Sequence, residues 1–332
     1  MKILFNLMSC GLGNNGGSST IVKSANTLKK LGHEVTVIDT GRNQHTWTPL
    51  NVEHKIIKSF NKVPDADVVI ATGYGTVRST VRLPKRCGIK VHWIRGWETW
   101  NKSEKQIVNS ILGAPTIKIV NSKCLKLKLE SLGYNSEIIR PGYDLGDFTQ
   151  LKIRNKTNDV VFLGGQYNEG SKRKSKRVNW IIDAVKILRR KYRIQLWMMG
   201  TERKPNIDVI DKYFQKPDKV TKNTFYNHVN IWLAPTELEG LHMPPAEAML
   251  TGCPVVCTNA PMSGMQDYVV GGENGLIAEN DFNSFVETIE KFLKNKDMMF
   301  NYGSVARERV FKLGNRENNM KKMVEYFELL KL

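Results

Sequence analysis

The sequence predicts an α/β protein made of two similar halves, each with a parallel β-sheet covered by helices. Short apolar segments bounded by Gly, Pro or Asn alternate with segments of helical periodicity, which is the pattern of βαβ units. The alternation stops near residue 141 and resumes near residue 160, which indicates two domains. A chain of 332 residues is long enough for both.

The first half of the chain begins with a short apolar strand and alternates from there. The predicted strands cover residues 2–8, 34–38, 67–71, 90–94 and 116–120, and the predicted helices cover residues 19–31 and 123–132. The two helices end at Gly32 and Gly133, and glycine is common directly after a helix C-terminus. We therefore predict a first domain over residues 1–150.

The second half follows a polar linker at residues 152–159. Its predicted strands cover residues 160–163, 194–199, 229–234 and 254–258, and its predicted helices cover residues 178–190, 244–250, 282–293, 298–313 and 316–330. We place the second domain at residues 151–314.

The composition narrows the class of protein. No apolar run approaches the ~20 residues that a membrane-spanning helix needs, and the strand-like start, interrupted by Asn6, does not suit a signal peptide. The five cysteines show no CxxC spacing, which argues against a structural zinc site. We expect reduced thiols and a cytoplasmic protein.

The net charge of +18 arises in the first 200 residues. Residues 1–150 contain 21 Lys and Arg against 11 Asp and Glu, and residues 151–200 contain 13 against 3. Such a field attracts an anionic partner, and phospholipid headgroups, nucleic acid and acidic glycans all qualify. A solvated basic surface without any partner is the alternative, because charge runs usually face water.

A glycine-rich loop at residues 11–19 follows the first predicted strand. Gly11, Gly13 and Gly16 match GxGxxG, and Asp39 ends the next strand, as in a dinucleotide-binding fingerprint. A nicotinamide-dependent enzyme is therefore one hypothesis. Glycines before a helix N-terminus equally suit another phosphate or a sugar, and a tight strand-to-helix turn needs glycine without any ligand.

Basic residues cluster where the predicted helix 178–190 begins. They are Lys172, Arg173, Lys174, Lys176 and Arg177. Cations at the start of a helix oppose the helix dipole, and a bound phosphate would remove that conflict. A solvated basic loop is the alternative.

Two glutamates, Glu239 and Glu247, bracket the segment that leads into the predicted helix 244–250. We expect Glu239 in a loop and Glu247 in the first turn of the helix, where a negative charge is favoured. Between them, Gly240 and Leu241 can present backbone N–H groups to a phosphate. Carboxylates also accept hydrogen bonds from vicinal hydroxyls, as in ribose or a hexose. Two surface glutamates near a helix start are the alternative.

The pattern Glu239-x7-Glu247, followed by Ala-Met and Gly-x-Pro-Val-Val, resembles the signature of the family-four retaining glycosyltransferases. Further landmarks of that family occur in order along nearly the whole chain, at residues 32–37, 120–122, 141–144, 176, 226 and 264–277. The resemblance implies the GT-B fold, in which two Rossmann-like α/β domains with parallel sheets face each other across a cleft. It also implies an acceptor domain first, a nucleotide-sugar donor domain second, and a C-terminal helix at about 315–332 that packs back on the first.

The resemblance implies a role for four donor-binding side chains. Glu239 would hold hydroxyls of the donor sugar, and Glu247 would hold the ribose of the nucleotide. Lys176, with Arg173 or Lys172, would neutralise the diphosphate leaving group without a metal.

Backbone groups and the first domain would complete the implied site. Close approach to the donor is expected at Gly13, Gly16, Gly17, Gly240, Leu241 and Gly264. Glu98 would orient the acceptor as a catalytic residue, and Arg95 and Trp97 would face the cleft mouth, with Trp97 stacked on a sugar. Interior or interface packing of the tryptophan is the alternative.

Asp267 stands where the family often has Glu, and the histidine that often follows the strand near residue 95 is missing. Two further departures concern the donor site. The family usually has an arginine near Gly165-Gln166, where this chain has none, and His242 replaces a frequent glycine. The first departure leaves the contact to the diphosphate in doubt. The second makes His242 either a sugar contact or a loop residue.

The activity implied is metal-independent transfer of a hexose, with retention, from a UDP- or GDP-linked sugar to an acceptor hydroxyl, with no cofactor. The basic charge favours a lipid-linked or surface glycan as acceptor, with peripheral attachment to the inner membrane face as one form of this hypothesis. Transfer to modified DNA bases is an alternative, and an NAD-dependent Rossmann enzyme is a weaker one. The oligomeric state stays open.

Overall fold

The protein is described by a computed structural model over residues 1–41, 45–99, 103–153 and 159–331, with the backbone alone for residues 171–173. The chain divides into two compact units, Met1–Gly142 with Gly314–Leu332, and Tyr143–Leu313. The first boundary precedes the predicted residue 150 because Tyr143 and Phe148 are buried in the core of the second unit.

The described residues form alternating strands and helices. The strands are β1 (Lys2–Asn6), β2 (Glu34–Asp39), β3 (Glu53–Ile56), β4 (Val68–Ala71), β5 (Ile89–Ile94), β6 (Ile117–Val120), β7 (Glu137–Ile138), β8 (Val161–Gln166), β9 (Ile194–Gly200), β10 (Ile210–Gln215), β11 (Ile231–Ala234), β12 (Leu238–Glu239), β13 (Val255–Thr258), β14 (Met262–Ser263) and β15 (Gly275–Ala278). The helices are α1 (Gly16–Lys30), α2 (Tyr74–Val81), α3 (Glu104–Ile107), α4 (Lys123–Glu130), α5 (Gly170–Ser175), α6 (Val178–Leu188), α7 (Lys219–His228), α8 (Met243–Leu250), α9 (Phe282–Lys294), α10 (Lys296–Phe311) and α11 (Arg316–Leu329).

The first unit contains a parallel sheet with the strand order β3-β2-β1-β4-β5-β6-β7. Burial on both faces explains the uninterrupted apolar strands, such as Val68–Ala71. The order reverses between β1 and β4, and ligands of open α/β sheets bind outside the carboxyl ends of the strands at such a switch point. The loops after β1 and β4 are therefore where a ligand of this unit is expected to bind.

The last helix, α11, belongs to the first unit. Met320, Met323 and Phe327 are fully buried in one core with Ile3 and Phe5 of β1. The crossing of chain segments at Gly142 and Arg316 is close, because a β-carbon at Gly142 would lie 2.6 Å from the Arg316 Cα, and its φ of 74° also favours glycine.

The second unit has the same plan. Its parallel sheet has the order β10-β9-β8-β11-β13-β15, and the order reverses between β8 and β11. A separate two-stranded pairing, β12 with β14, joins Glu239 to Ser263 in parallel register. The loops after β8 and β11 thus end at the switch point of this sheet.

Candidate active site

The switch point of the second unit contains a small cavity. It lies at the carboxyl ends of β8 and β11, and its volume is about 10 Å³. Its lining consists of Gln166, Lys176, Ile181, Trp232, Leu233, Ala234, Thr236 and His242. The cavity therefore brings together the predicted phosphate lysine and residues that the sequence places far apart.

Lys176 lies in the two-residue connection between α5 and α6. Its ammonium group forms an ion pair with the Glu239 carboxylate, and the two side chains are 13% and 25% exposed. A backbone hydrogen bond of 2.9 Å from the Glu237 N–H to the Ser175 carbonyl joins the same two segments. Two of the predicted donor-binding residues are thus in direct contact.

Arg177, the next member of the basic cluster, contacts other groups. Arg177 starts α6 with a left-handed φ of 49°, donates to Asn280 at 2.6 Å, and stacks over the Trp180 ring at 4.2 Å. The side chain of Arg173, predicted to assist with the diphosphate, lies outside the described residues.

Glu239 sits on β12, a short strand rather than the predicted loop, beside Ser263 on β14. This pairing brings Gly240 against Gly264, where a β-carbon would collide with the Gly240 carbonyl oxygen. Gly264 therefore permits a close backbone approach that no other residue allows. Leu241 is buried in the unit's core, so only its backbone is available to a ligand.

Glu247 is not in the first turn of α8, where the sequence placed it. The helix begins at Met243, one residue before the predicted start, and its first turn holds no acidic residue. Hydrogen bonding therefore accounts for the position of Glu247 where the helix dipole does not. The Tyr226 hydroxyl of α7 donates to Oε2 at 2.8 Å, and the Lys222 ammonium lies 3.7 Å from the same oxygen. Burial and the nearby carboxylate raise the pKa of Tyr226, which keeps its hydroxyl protonated.

His242 occupies the N-cap of α8 in a left-handed conformation, with φ 54° and ψ 76°. The Tyr268 hydroxyl donates to its carbonyl oxygen at 2.6 Å, and Nδ1 lies 3.4 Å from the Thr236 hydroxyl. Burial lowers the pKa of the imidazole to about 3, Lys176 adds to this effect, and Glu239 opposes it. The ring is therefore neutral near pH 7.

The glycine-rich loop of the first unit ends at α1. The Asn15 side chain caps that helix by accepting from the Ser18 N–H at 2.9 Å, and the helix itself begins with Gly16 and Gly17. Open space surrounds the α-carbon of Gly16, whereas a β-carbon at Gly13 would touch the Asn15 side chain at 3.3 Å. The loop thus presents a bare backbone next to a helix N-terminus, as a phosphate or sugar requires.

Arg95 holds this loop in place. Its guanidinium donates to the Gly17 carbonyl at 2.6 Å and to the Thr72 carbonyl at 2.5 Å, so it joins the segments after β1 and β4. Burial lowers its pKa to about 10, against the opposing effect of Glu98, and the group stays charged near pH 7. Arg95, which is predicted to contact the acceptor, thus already donates hydrogen bonds to two backbone carbonyls of its own unit.

Glu98 and Trp97 also differ from expectation in their surroundings. The Glu98 carboxylate accepts from the Tyr74 N–H at 3.2 Å, at the N-terminus of α2. Trp97 is only 4% exposed, with Tyr74 against its edge and the Lys128 ammonium 5.3 Å from its ring centre. The expectation that Trp97 stacks on a sugar is corrected accordingly, since the interior alternative describes its position.

Asp39 does not fit the dinucleotide hypothesis. Its side chain is fully buried, with one oxygen accepting from the Thr40 N–H at 2.5 Å and the other 3.7 Å from His54 Nε2. A carboxylate in that position cannot reach ribose hydroxyls without rearrangement of the loop.

Within the described ranges no helix is both long and apolar enough to cross a membrane, and no group of three or more His, Cys, Asp or Glu forms a candidate metal site. All five cysteines are free thiols.

Comparison with known proteins identifies the family. Residues 157–295 match the family described as glycosyl transferases group 1. Over 316 residues the chain is 32% identical to the capsular polysaccharide biosynthesis glycosyltransferase CapM of Staphylococcus aureus. The alignment covers 85% of this chain and 82% of the relative. The chain belongs to the group 1 glycosyltransferases. The prediction that it is a glycosyltransferase is confirmed.

Solved structures agree with this glycosyltransferase in fold. Sucrose-phosphate synthase from Thermosynechococcus elongatus has a TM-score of 0.76 at 17% identity, over 99% of both chains. Anabaena Alr3699/HepE in complex with UDP has a TM-score of 0.80 at 13% identity, over 100% of both chains. The predicted GT-B class, with two α/β domains and parallel sheets, is thereby confirmed.

Proposed function

We propose that this glycosyltransferase transfers a hexose, with retention and without a metal, from a nucleoside diphosphate sugar to an acceptor hydroxyl. The observation that carries the proposal is the contact between Lys176 and Glu239 at the switch point of the second unit. A cation and a carboxylate in contact offer one partner for phosphate oxygens and one for sugar hydroxyls. Anabaena HepE, which has the same fold, was solved with UDP and with UDP-glucose, which supports a donor of this kind.

The donor would replace the ion pair with contacts of its own. Lys176 would turn to the diphosphate, where its charge stabilises the leaving group in the transition state. Glu239 would accept hydrogen bonds from sugar hydroxyls. Backbone groups at Gly240, Leu241 and Gly264 would line the approach of the sugar and phosphates.

The ribose would bind at Glu247. Both partners of this carboxylate, Tyr226 and Lys222, contact Oε2. Among the described residues no hydrogen bond or ion pair involves Oε1, so this oxygen can accept from a ribose hydroxyl. The phenol fixes the carboxylate in one orientation, which reduces the ordering cost of binding.

The glycine-rich loop of the first unit would receive the acceptor side of the reaction, with Gly13, Gly16 and Gly17 near the donor phosphates. Arg95 would then act as a positioning residue for the loop. Glu98, held at the N-terminus of α2, is the carboxylate proposed to orient the acceptor.

The acceptor is proposed to be a lipid-linked or surface glycan, reached from the cytoplasmic side of the membrane. The similarity to CapM, a capsular polysaccharide biosynthesis enzyme, supports a glycan. The basic first unit supports binding to an anionic surface, since α4 exposes Leu127 by 64% and carries the exposed Lys123 one turn before it.

Nucleotide binding tests the donor half of the proposal. Thermal unfolding is measured with UDP, GDP and ADP and with their sugars, for the protein, for Glu247→Gln and for the control Glu237→Gln, whose carboxylate is exposed. One nucleotide is expected to stabilise the protein and the control equally, and Glu247→Gln less. Stabilisation by none of them would contradict the proposal.

Transfer itself tests the rest. Release of nucleoside diphosphate is expected to continue in EDTA, and the anomeric proton of the product, measured by NMR, should keep the donor configuration. Dependence on added Mg²⁺ or Mn²⁺ would exclude metal independence. Inversion of the configuration would exclude retention.

Binding to phosphatidylglycerol vesicles and to duplex DNA, each at low and high salt, separates the acceptor hypotheses. Vesicle binding that weakens with salt is expected. Binding to DNA alone would favour the modified-base alternative.

A further inference from the structure

His242 carries a polar atom without a partner in the candidate active site. The residue is 6% exposed, and its Nε2 has no hydrogen-bond partner among the described residues. Buried polar atoms in native structures are nearly always hydrogen-bonded, because leaving such an atom without a partner is unfavourable. An exception beside Lys176 and Glu239 points to a ligand.

The backbone at His242 is also unusual. A left-handed φ of 54° is uncommon for a residue other than glycine, and here the Tyr268 hydroxyl fixes the conformation through the carbonyl oxygen. Such outliers concentrate at ligand-binding positions, where the surrounding structure holds them in place. The protein therefore keeps an imidazole at a position that glycine would occupy with less strain.

The surroundings of His242 favour an anion. The residue precedes α8, whose dipole favours negative charge at this end although Pro244 and Pro245 carry no N–H, and it shares the cavity with Lys176. The imidazole is neutral, so it offers one N–H. If the Thr236 hydroxyl donates to Nδ1, the proton resides on Nε2, and Nε2 is a hydrogen-bond donor.

We propose that Nε2–H of His242 donates a hydrogen bond to the terminal phosphate of a bound nucleoside diphosphate. This inference rests on the proposed function and adds a further side-chain contact to the phosphate beside that of Lys176. It gives the chain a second donor to the diphosphate, with Gly165 and Gln166 at the end of β8 supplying no cation. The same hydrogen bond would stabilise the charge that develops on the departing phosphate.

A hydroxyl of the transferred sugar is the competing occupant. The position at a helix N-terminus beside a lysine favours the phosphate, because both features attract negative charge. The two occupants are separated by ligands that differ only in the terminal phosphate.

The experiment measures the dissociation constants of UDP and UMP by titration calorimetry, with GDP and GMP or ADP and AMP if the base differs. The proteins are the full chain, His242→Gly, His242→Asn and the control Glu237→Gln. Glycine accepts the left-handed backbone without strain, and asparagine tolerates it while keeping an N–H donor. Thermal unfolding confirms that each variant is folded.

The preference for diphosphate over monophosphate is expected to fall about ten-fold in His242→Gly, as for loss of one hydrogen bond to a charged group. It should be partly kept in His242→Asn and unchanged in Glu237→Gln. An unchanged preference in His242→Gly would overturn the inference, including the case in which only UDP sugars bind more weakly. If the unmodified chain binds none of the nucleotides, the proposed function fails as well, which distinguishes the two failures.

Discussion

In the first unit, a cation joins the loops after β1 and β4, and in the second, a cation stands at the loops after β8 and β11. Arg95 in the first unit uses its guanidinium on two carbonyls of its own backbone, Gly17 and Thr72. Lys176 in the second unit is paired with a single carboxylate, Glu239, that has its own proposed ligand. The strand order around the two switch points is the same.

The difference separates a structural cation from a functional one. Thr72 is buried, so an arginine that withdraws from its carbonyl leaves a polar group unpaired. A lysine paired with one carboxylate can exchange it for a phosphate and remain paired, because both partners are anionic hydrogen-bond acceptors. The same fold therefore supports a fixed loop in one unit and an exchangeable charge in the other.

The largest expected effect tests the exchangeable charge. Lys176→Met should lower kcat/KM by about 10³-fold, the range seen when one stabilising donor of a developing charge is removed. The measurement is release of nucleoside diphosphate at several donor concentrations. The control is Lys186→Met, which removes an exposed ion pair with Asp183 within α6. A loss smaller than ten-fold for Lys176→Met would place the functional cation elsewhere.

Arg95→Met tests the fixed cation. Two backbone carbonyls lose a charged donor, so the free energy of unfolding should fall by about 2–4 kcal/mol, measured by urea titration. The exposed Arg82→Met is the matched control. If Arg95→Met retains full stability and loses only activity, then Arg95 contacts substrate, and the contrast with Lys176 disappears.

Glu247→Gln and Tyr226→Phe sharpen the description of the donor side. Glu247→Gln should weaken binding of the nucleotide about 10-fold, and Tyr226→Phe about 3-fold, because the phenol only orients the carboxylate. Calorimetry with the nucleotide that stabilises the protein gives both values. Equal losses in the two variants would mean that Tyr226 touches the ligand itself.

A further effect concerns pH, and it applies to both units. The pKa of His92 in β5 and that of His242 are each lowered to about 3, chiefly by burial. The unfolded chain takes up a proton near pH 6.5 that the folded chain refuses down to about pH 3, so stability falls as pH decreases through that window.

At pH 5.5 each histidine should reduce the free energy of unfolding by about 1.4 kcal/mol relative to pH 7.5. His92→Leu should remove its share of that decrease, measured by urea titration at the two pH values. An identical pH dependence in His92→Leu would show that His92 is not neutral in the folded protein.

Strong apolar periodicity explains which elements the sequence could predict. The predicted strands at 34–38 and 194–199 match β2 and β9 within a residue. β3 and β10 were not predicted, because their residues are largely exposed and charged, as in Glu53–Ile56. α7, Lys219–His228, was missed for a similar reason, since Val220 is exposed and its polar residues hide the buried Phe225 and Tyr226.

The candidate site was predictable by residue type but not by geometry. The resemblance to the family identified Glu239, Glu247 and Lys176, yet the ion pair depends on a contact between segments 63 residues apart. Nothing in the sequence signals that Tyr226 orients Glu247 or that Arg95 binds carbonyls. His242 is predicted from the sequence to be either a sugar contact or a loop residue, and its left-handed backbone cannot be recognised from a single histidine.

The return of α11 to the first unit has a consequence for synthesis of the protein. Met320, Met323 and Phe327 complete a core whose other residues include Ile3 and Phe5, and these are made hundreds of residues earlier. The second unit, Tyr143–Leu313, is continuous and leaves the ribosome before α11 does. The first unit is thus the first to be translated and the last to close, and its unfinished apolar face must wait for the final helix while the donor unit folds.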